Sequence, residues 1–306
     1  MKLHKALISL LLGTLIWHYP VFAQDYAVDF ERPAGPGEFT QADWMAYEVT
    51  GVAYVSAPER AALDKQVSHG GHQSLRIYFP KSSVGPSEGG HQASIRLKPA
   101  EEYYLSYWLK FSKDFSWGDT SHGGKLPGLA QGKLCSGGQR CDGTNGFTVR
   151  YMWRKNGAAV LYLYHMDKPH KWGEDFPLVP GGDESFYFKP NEWINLVQRV
   201  KVNTGEDANG EVQVWVNAVE ALNLSGLRFV TGDRKIDTFY VSTFHGGNTP
   251  DWGPLNDSYL WIDDIEISAS RKPDRNISGS LRPSPDVCMG NRSANLRYIA
   301  NFRAHH

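Results

Sequence analysis

Cysteine is scarce in this 306-residue chain, with three in all. That excludes a disulfide-packed scaffold and a cysteine-rich metal cluster. An excess of charge of either sign is missing too: 32 Lys and Arg stand against 33 Asp and Glu, a formal net charge of −1. Such a balance leaves no electrostatic footprint for nucleic acid. A local basic groove on a near-neutral protein can still take an anionic ligand. Beyond the first two dozen residues no apolar run is long enough to cross a bilayer. Sustained helical periodicity is also absent. No nucleic acid, membrane, metal or cofactor is therefore expected.

What is present starts with a short basic opening, Met1 to Lys5, and a mostly apolar run from Ala6 to Trp17. Val21-Phe22-Ala23 then offers a small-residue cleavage site. This order of regions predicts a secretory signal peptide over residues 1–23 and a secreted or periplasmic protein. Residues 24–270 suit one all-β domain. Residues 271–306, rich in Arg, Asn, Ser and Pro, are expected to form a poorly ordered tail. In an oxidising compartment Cys135 and Cys141, six positions apart, could close a small disulfide loop, leaving Cys288 over.

Nine segments alternate or carry strand formers: 74–79, 92–97, 103–111, 146–154, 158–165, 193–202, 211–219, 239–244 and 259–267. Turn residues separate them, which predicts a two-sheet antiparallel sandwich, a β-jelly roll being the favoured form. Residues 60–65 could make one helical turn. Residues 113–145 read as a long Gly-rich connection, and connections of that length tend to be functional.

The segment Gly146 to His165 concentrates the chemistry. In its first strand Thr148, Arg150, Met152 and Arg154 share one face, opposite Phe147, Val149, Tyr151 and Trp153. In its second, Tyr162 and Tyr164 lie opposite Leu161 and Leu163. A two-residue Asn156-Gly157 turn would pair Arg150 with Leu163 and mix polar with apolar. A three-residue Lys155-Asn156-Gly157 loop pairs Arg150 with Tyr162 and Thr148 with Tyr164, keeping both faces consistent. The second register is the expected one.

That patch suits β-elimination at a uronic acid. The reaction needs a cation at the C6 carboxylate, a base for the C5 proton and an acid for the O4 leaving group. Arginine meets a carboxylate with a planar fork, and a facing tyrosine pair can supply both acid and base. Upstream, Ser121-His122-Gly123-Gly124-Lys125-Leu126-Pro127-Gly128-Leu129 brings Lys125 within reach, on glycines that permit close backbone approach.

Gly-Gly-Lys-Leu-Pro-Gly, Phe-Thr-Val-Arg-Tyr-Met-Trp-Arg and Tyr-Leu-Tyr, in that order, resemble the signature of polysaccharide lyase family 14, which includes alginate and glucuronan lyases. The likeness spans roughly residues 100 to 268. It implies a jelly roll with a concave substrate groove, and catalytic roles for Lys125, Arg150, Tyr162 and Tyr164. A serine of some members falls on Thr148, which keeps the hydroxyl. On this reading Arg150 and Lys125 hold the carboxylate, the two tyrosines share acid and base roles, and Thr148 orients one of these groups.

Further uronate contacts are expected from Arg76, Gln92, Arg96 and Arg199 on polar strand faces. His122 and His165 stand as alternative bases, and His245 as part of a groove wall with the Trp252 loop. Asp263, Asp264 and Glu266 read as alternation on an edge strand rather than a calcium site. The expected function is cleavage of a polyuronate (alginate or glucuronan) by a monomer. A glycoside hydrolase would need two facing carboxylates, and the nearest pairs, Glu174 with Asp175 and Asp183 with Glu184, fall in a predicted loop. A non-catalytic carbohydrate-binding module would use the aromatic residues but leave Lys125, Arg150 and the tyrosines without a role.

Overall fold

The computed structural model describes residues 26–32, 37–118 and 123–269. The expected signal peptide and tail, with His122 and Cys288, lie outside the described residues. The strands run in chain order as β1 Tyr26–Val28, β2 Gly51–Ser56, β3 Ala61–Asp64, β4 Ser74–Phe79 and β5 His91–Ala100. Then come β6 Glu102–Phe111, β7 Gly124–Gln131, β8 Phe147–Trp153, β9 Ala159–Tyr164 and β10 Glu174–Pro177. The last are β11 Trp193–Lys201, β12 Gly210–Val216, β13 Val219–Leu227, β14 Ile236–His245 and β15 Ser258–Ser268. One short helix, α1, covers Gln41–Met45.

Two antiparallel sheets result, the jelly-roll sandwich that strand alternation predicts. The first runs β13-β12-β11-β6-β15-β4-β3, with β1 also paired to β15; the second runs β10-β9-β8-β7-β14-β5-β2. The core between them follows from period-two patterning. On β6, Tyr103, Leu105, Tyr107, Leu109 and Phe111 are fully buried, and on β8 so are Phe147, Val149, Tyr151 and Trp153. Each such large apolar side chain contributes roughly 1.5–3 kcal/mol by leaving water.

The structure revises several expectations. The Gly-rich connection contains β7, a central strand of the second sheet paired with β8 and β14. Its glycines make room for neighbouring strands. A Cβ on Gly124 would lie 2.0 Å from Trp153 Cζ2, and one on Gly128 would lie 1.8 Å from the Val149 carbonyl oxygen. Ala61–Asp64 is a strand, not a helical turn. Strand β15 is central, between β6 and β4. Glu174 and Asp175 lie on strand β10, not in a loop.

Candidate active site

The β8–β9 hairpin adopts the consistent register. Thr148 faces Tyr164 and Arg150 faces Tyr162, around a Lys155–Gly157 loop in which Asn156 and Gly157 have positive φ. From this pair a single row of register partners crosses the whole second sheet. It runs Asp175, Tyr162, Arg150, Gly128, Tyr240, Ser94 and Tyr54, one residue from each strand. Six inter-strand steps extend it over about 29 Å. The row lies on the face turned away from the core, because the residues alternating with it (Val149, Leu161, Leu129, Phe239, Val241 and Ile95) are all buried there. At its middle Gly128 presents no side chain.

Lys125 joins this face through a bulge. The β7–β8 register shifts between Lys125 and Gly128, so that these two residues, three apart, point the same way while Leu126 and Leu129 enter the core. Residues of the opposite sheet brace the bulge. Tyr107 Oη donates to the Pro127 carbonyl at 3.1 Å, and Gln198 Oε1 accepts from the Leu129 amide at 2.9 Å.

The electrostatics of the face are unusual. Arg150 is 3% exposed, donates from a terminal nitrogen to Ser242 Oγ at 3.2 Å and lies 5.4 Å from the Tyr240 ring centre. Among the described residues its Nε has no hydrogen-bond partner and the side chain forms no ion pair. Lys125 Nζ touches Met152 Sδ at 3.1 Å and stands 4.5 Å from the Tyr162 ring centre. Loss of water, then the neighbouring Arg150 and Arg154 charges, hold this amine well below the ordinary lysine range. The nearby carboxylate, Asp175, is taken up by Arg154, with Nε–Oδ2 at 2.8 Å and a second bond at 2.7 Å.

The two phenols meet at right angles, 5.5 Å apart. Burial and then the neighbouring Tyr164 phenol push the Tyr162 phenol well up, against the opposing N–H of Gly173 and charge of Arg154. The Gly173 amide donates to Tyr162 Oη at 3.1 Å, and the Gly138 amide donates to Tyr164 Oη at 2.9 Å. Gly138 belongs to the loop closed by the Cys135–Cys141 disulfide. That disulfide packs with Met152, Val160, Tyr162 and Tyr164 as a small separate apolar cluster.

The structure thus brings Lys125, Arg150, Tyr162 and Tyr164 onto one face. Thr148 shares the face but is fully buried, its hydroxyl donating to the Cys135 carbonyl at 3.2 Å. It supports the disulfide loop instead of facing a ligand. Gln92 is on the face, donating to Tyr240 Oη at 2.7 Å and Ser242 Oγ at 3.3 Å, and Arg96 lies exposed one row away.

Arg76 and Arg199 do not belong there. They sit on β4 and β11 of the other sheet, Arg76 near Asp64 and Arg199 bound by Glu102 and Glu211. Period-two alternation marks a polar face without saying which sheet owns it. His245 is fully buried in the core, among Phe79, Phe115 and Trp153, with Nδ1 3.1 Å from the Trp252 carbonyl. The next residue, Gly246, does border the site, since a Cβ there would lie 3.4 Å from Lys125 Nζ. His165 turns to Glu174, the register partner of Leu163, at 3.1 Å.

Sequence reasoning missed Tyr240, Ser242 and Tyr54. Alternation along Phe239–Phe244 puts Tyr240 and Ser242 opposite Phe239 and Val241, so a signal for two of them existed. Asp175, expected in a loop, instead occupies this face opposite Tyr162.

This jelly roll thus sets a buried guanidinium, without an ion-pair partner among the described residues, and two phenols on one sheet face. The model of the family Polysaccharide lyase 14 matches residues 67–265. The chain belongs to that family and is a polysaccharide lyase. Solved structures share the fold. Alginate lyase Aly36B aligns with a TM-score of 0.65 at 24% identity, over 80% of this chain and 96% of its own. The PL-14 alginate lyase of Aplysia kurodai gives 0.65 at 21% identity, over 81% and 99%. Alginate lyase vAL-1 from a Chlorella virus gives 0.61 at 20%, over 74% and 96%. No curated protein matches the sequence.

Proposed function

We propose that the protein cleaves a polyuronate by β-elimination along the row from Tyr162 to Tyr54. One observation carries the reading: Arg150 is a buried cation with no counter-ion among the described residues. A buried charge left unpaired costs several kcal/mol, and a uronate carboxylate is the ligand that would relieve it. The family membership supports the lyase chemistry. An Aly36B mutant has been solved with an alginate tetrasaccharide, which supports an acidic polymer as substrate.

In the mechanism Arg150 binds the C6 carboxylate and stabilises the charge that develops when C5 loses its proton. Lys125, whose amine is held well below the ordinary lysine range, takes that proton. The C5–H electron pair forms the C4=C5 double bond as the C4–O4 bond breaks. Tyr162, whose phenol is held high and therefore protonated, supplies the proton to O4. Tyr164 orients Tyr162 through the edge-on contact of their rings. This moves Lys125 from carboxylate binding, its expected role, to the base. The Cys135–Cys141 disulfide supports residence in an oxidising, extracytoplasmic compartment.

The test is ultraviolet absorbance of the purified protein mixed separately with polymannuronate, polyguluronate and glucuronan. Elimination leaves a conjugated double bond, so absorbance rises with the true substrate. New reducing ends without absorbance would mean hydrolysis and would overturn the reading.

A further inference from the structure

Two loops meet over the β9–β10 end of the row: the segment joining β9 to β10, and the disulfide loop between β7 and β8. The first carries Trp172, which at 56% exposure leaves a large apolar ring in water. One exposed ring is ordinary on a protein surface; what singles this one out is its neighbours. The indole is held in place. Gly138 of the disulfide loop abuts it, since a Cβ there would lie 2.9 Å from both Trp172 Cζ3 and Lys171 Cε. Gly173 packs directly on both phenols, its hypothetical Cβ 2.6 Å from Tyr164 Cε2 and 2.8 Å from Tyr162 Cε2.

One lysine lies by this ring and a second by the adjoining phenol. Lys171 Nζ lies 5.1 Å from the Trp172 ring centre, and Lys168 Nζ lies 5.1 Å from the Tyr164 ring centre. Lys168 also donates to the carbonyls of His170 and Lys171 at 2.8 and 2.7 Å, which fixes the turn. Among the described residues neither lysine forms an ion pair. A flat apolar ring beside unpaired ammonium groups matches both halves of a uronate unit, its C–H face and its carboxylate.

We propose that Trp172, Lys171 and Lys168 form an additional saccharide subsite, which takes one uronate unit of the bound polymer beyond the Tyr162–Tyr164 pair. The Cys135–Cys141 loop is its backing wall. The proposal rests on the polyuronate reading of the same face and assigns it a further contact.

Titration calorimetry with mannuronate oligosaccharides of increasing length tests it. The full chain carries Tyr162→Phe to stop turnover, with or without Trp172→Ala. Oligosaccharides long enough to reach the subsite should bind about ten-fold more weakly without the indole, and the shortest ones that bind should be unaffected. Trp261→Ala, on the outer face of the other sheet, should change nothing. Equal affinity with and without Trp172 at every length overturns the subsite, as does absence of binding to any oligosaccharide. Length-dependent loss in a protein whose wild type makes no unsaturated product would retain the subsite and sink the lyase reading alone.

Discussion

Lys125 Nζ stands 4.5 Å from the centre of the Tyr162 ring, and the same environment pushes the two groups in opposite directions. The amine is held well below its ordinary range by burial and by two arginines. The phenol is held well above its own by burial and by Tyr164. In the proposed mechanism this opposition lets an amine that holds its proton weakly and a phenol that holds its proton tightly stand side by side, as elimination requires.

The first prediction concerns the pH dependence of turnover. Activity should rise as Lys125 loses its proton, with a midpoint below the roughly 10.4 of a free lysine. Replacing Lys125 by Met, or Tyr162 by Phe, should lower kcat about 10²- to 10⁴-fold with folding intact. A Lys125→Met protein that kept the wild-type pH profile would remove Lys125 as the base.

Removing the Arg150 cation should separate activity from stability. Arg150→Ala should lose about 10²- to 10³-fold in kcat/KM, the usual cost of one oxyanion-stabilising donor. Thermal stability should hold or rise, because an uncompensated buried charge is gone. Arg150→Lys should restore little, since a point charge lacks the planar fork. Kinetics and thermal melts on the three proteins check all of this.

At the middle of the row the backbone admits no side chain. Gly128→Ala would drive a Cβ to 1.8 Å from the Val149 carbonyl, and β7 would have to part from β8 beneath Arg150. A loss of about 3 kcal/mol or more is expected. Denaturant unfolding measures it; a near-wild-type midpoint would show that the strands can separate locally at little cost.

Acid should destabilise the fold through two buried histidines. Burial pushes His91 and His245 down to about 4 from 6.5. The unfolded chain therefore binds protons that the folded one refuses, so stability is full above about 6.5 and is lost as pH falls towards 4. The shift of 2.5 (6.5 minus 4) corresponds to about 3 kcal/mol for each. Asp263, raised to about 7 by burial, works the other way over the same interval, but one carboxylate opposes two imidazoles. Melting temperatures between about pH 7 and pH 4.5 should fall; a flat profile would mean that the histidines are not buried in solution.

Much of the site was legible because its logic is local. Loop length and period-two patterning together select one register for the hairpin, and that register alone sets Arg150 against Tyr162. What was illegible depends on partners far along the chain. Arg76 and Arg150 look equivalent as cations alternating with apolar residues, but β4 and β8 belong to different sheets. His245 ends the strand that bears Tyr240 and Ser242, yet its parity sends it into the core.

The amino-acid order by itself determined the fold class, the strand faces and the pairing of arginine with tyrosine, since these rest on side-chain period and turn chemistry. Only the tertiary structure decided where Lys125 points and what it can do. Plain alternation puts Lys125 on the same side as Leu129, which is buried in the core. The bulge that reverses this is held by Tyr107 and Gln198 from the opposite sheet, and the low proton affinity of Lys125 comes from burial and charges that only the packed sandwich assembles.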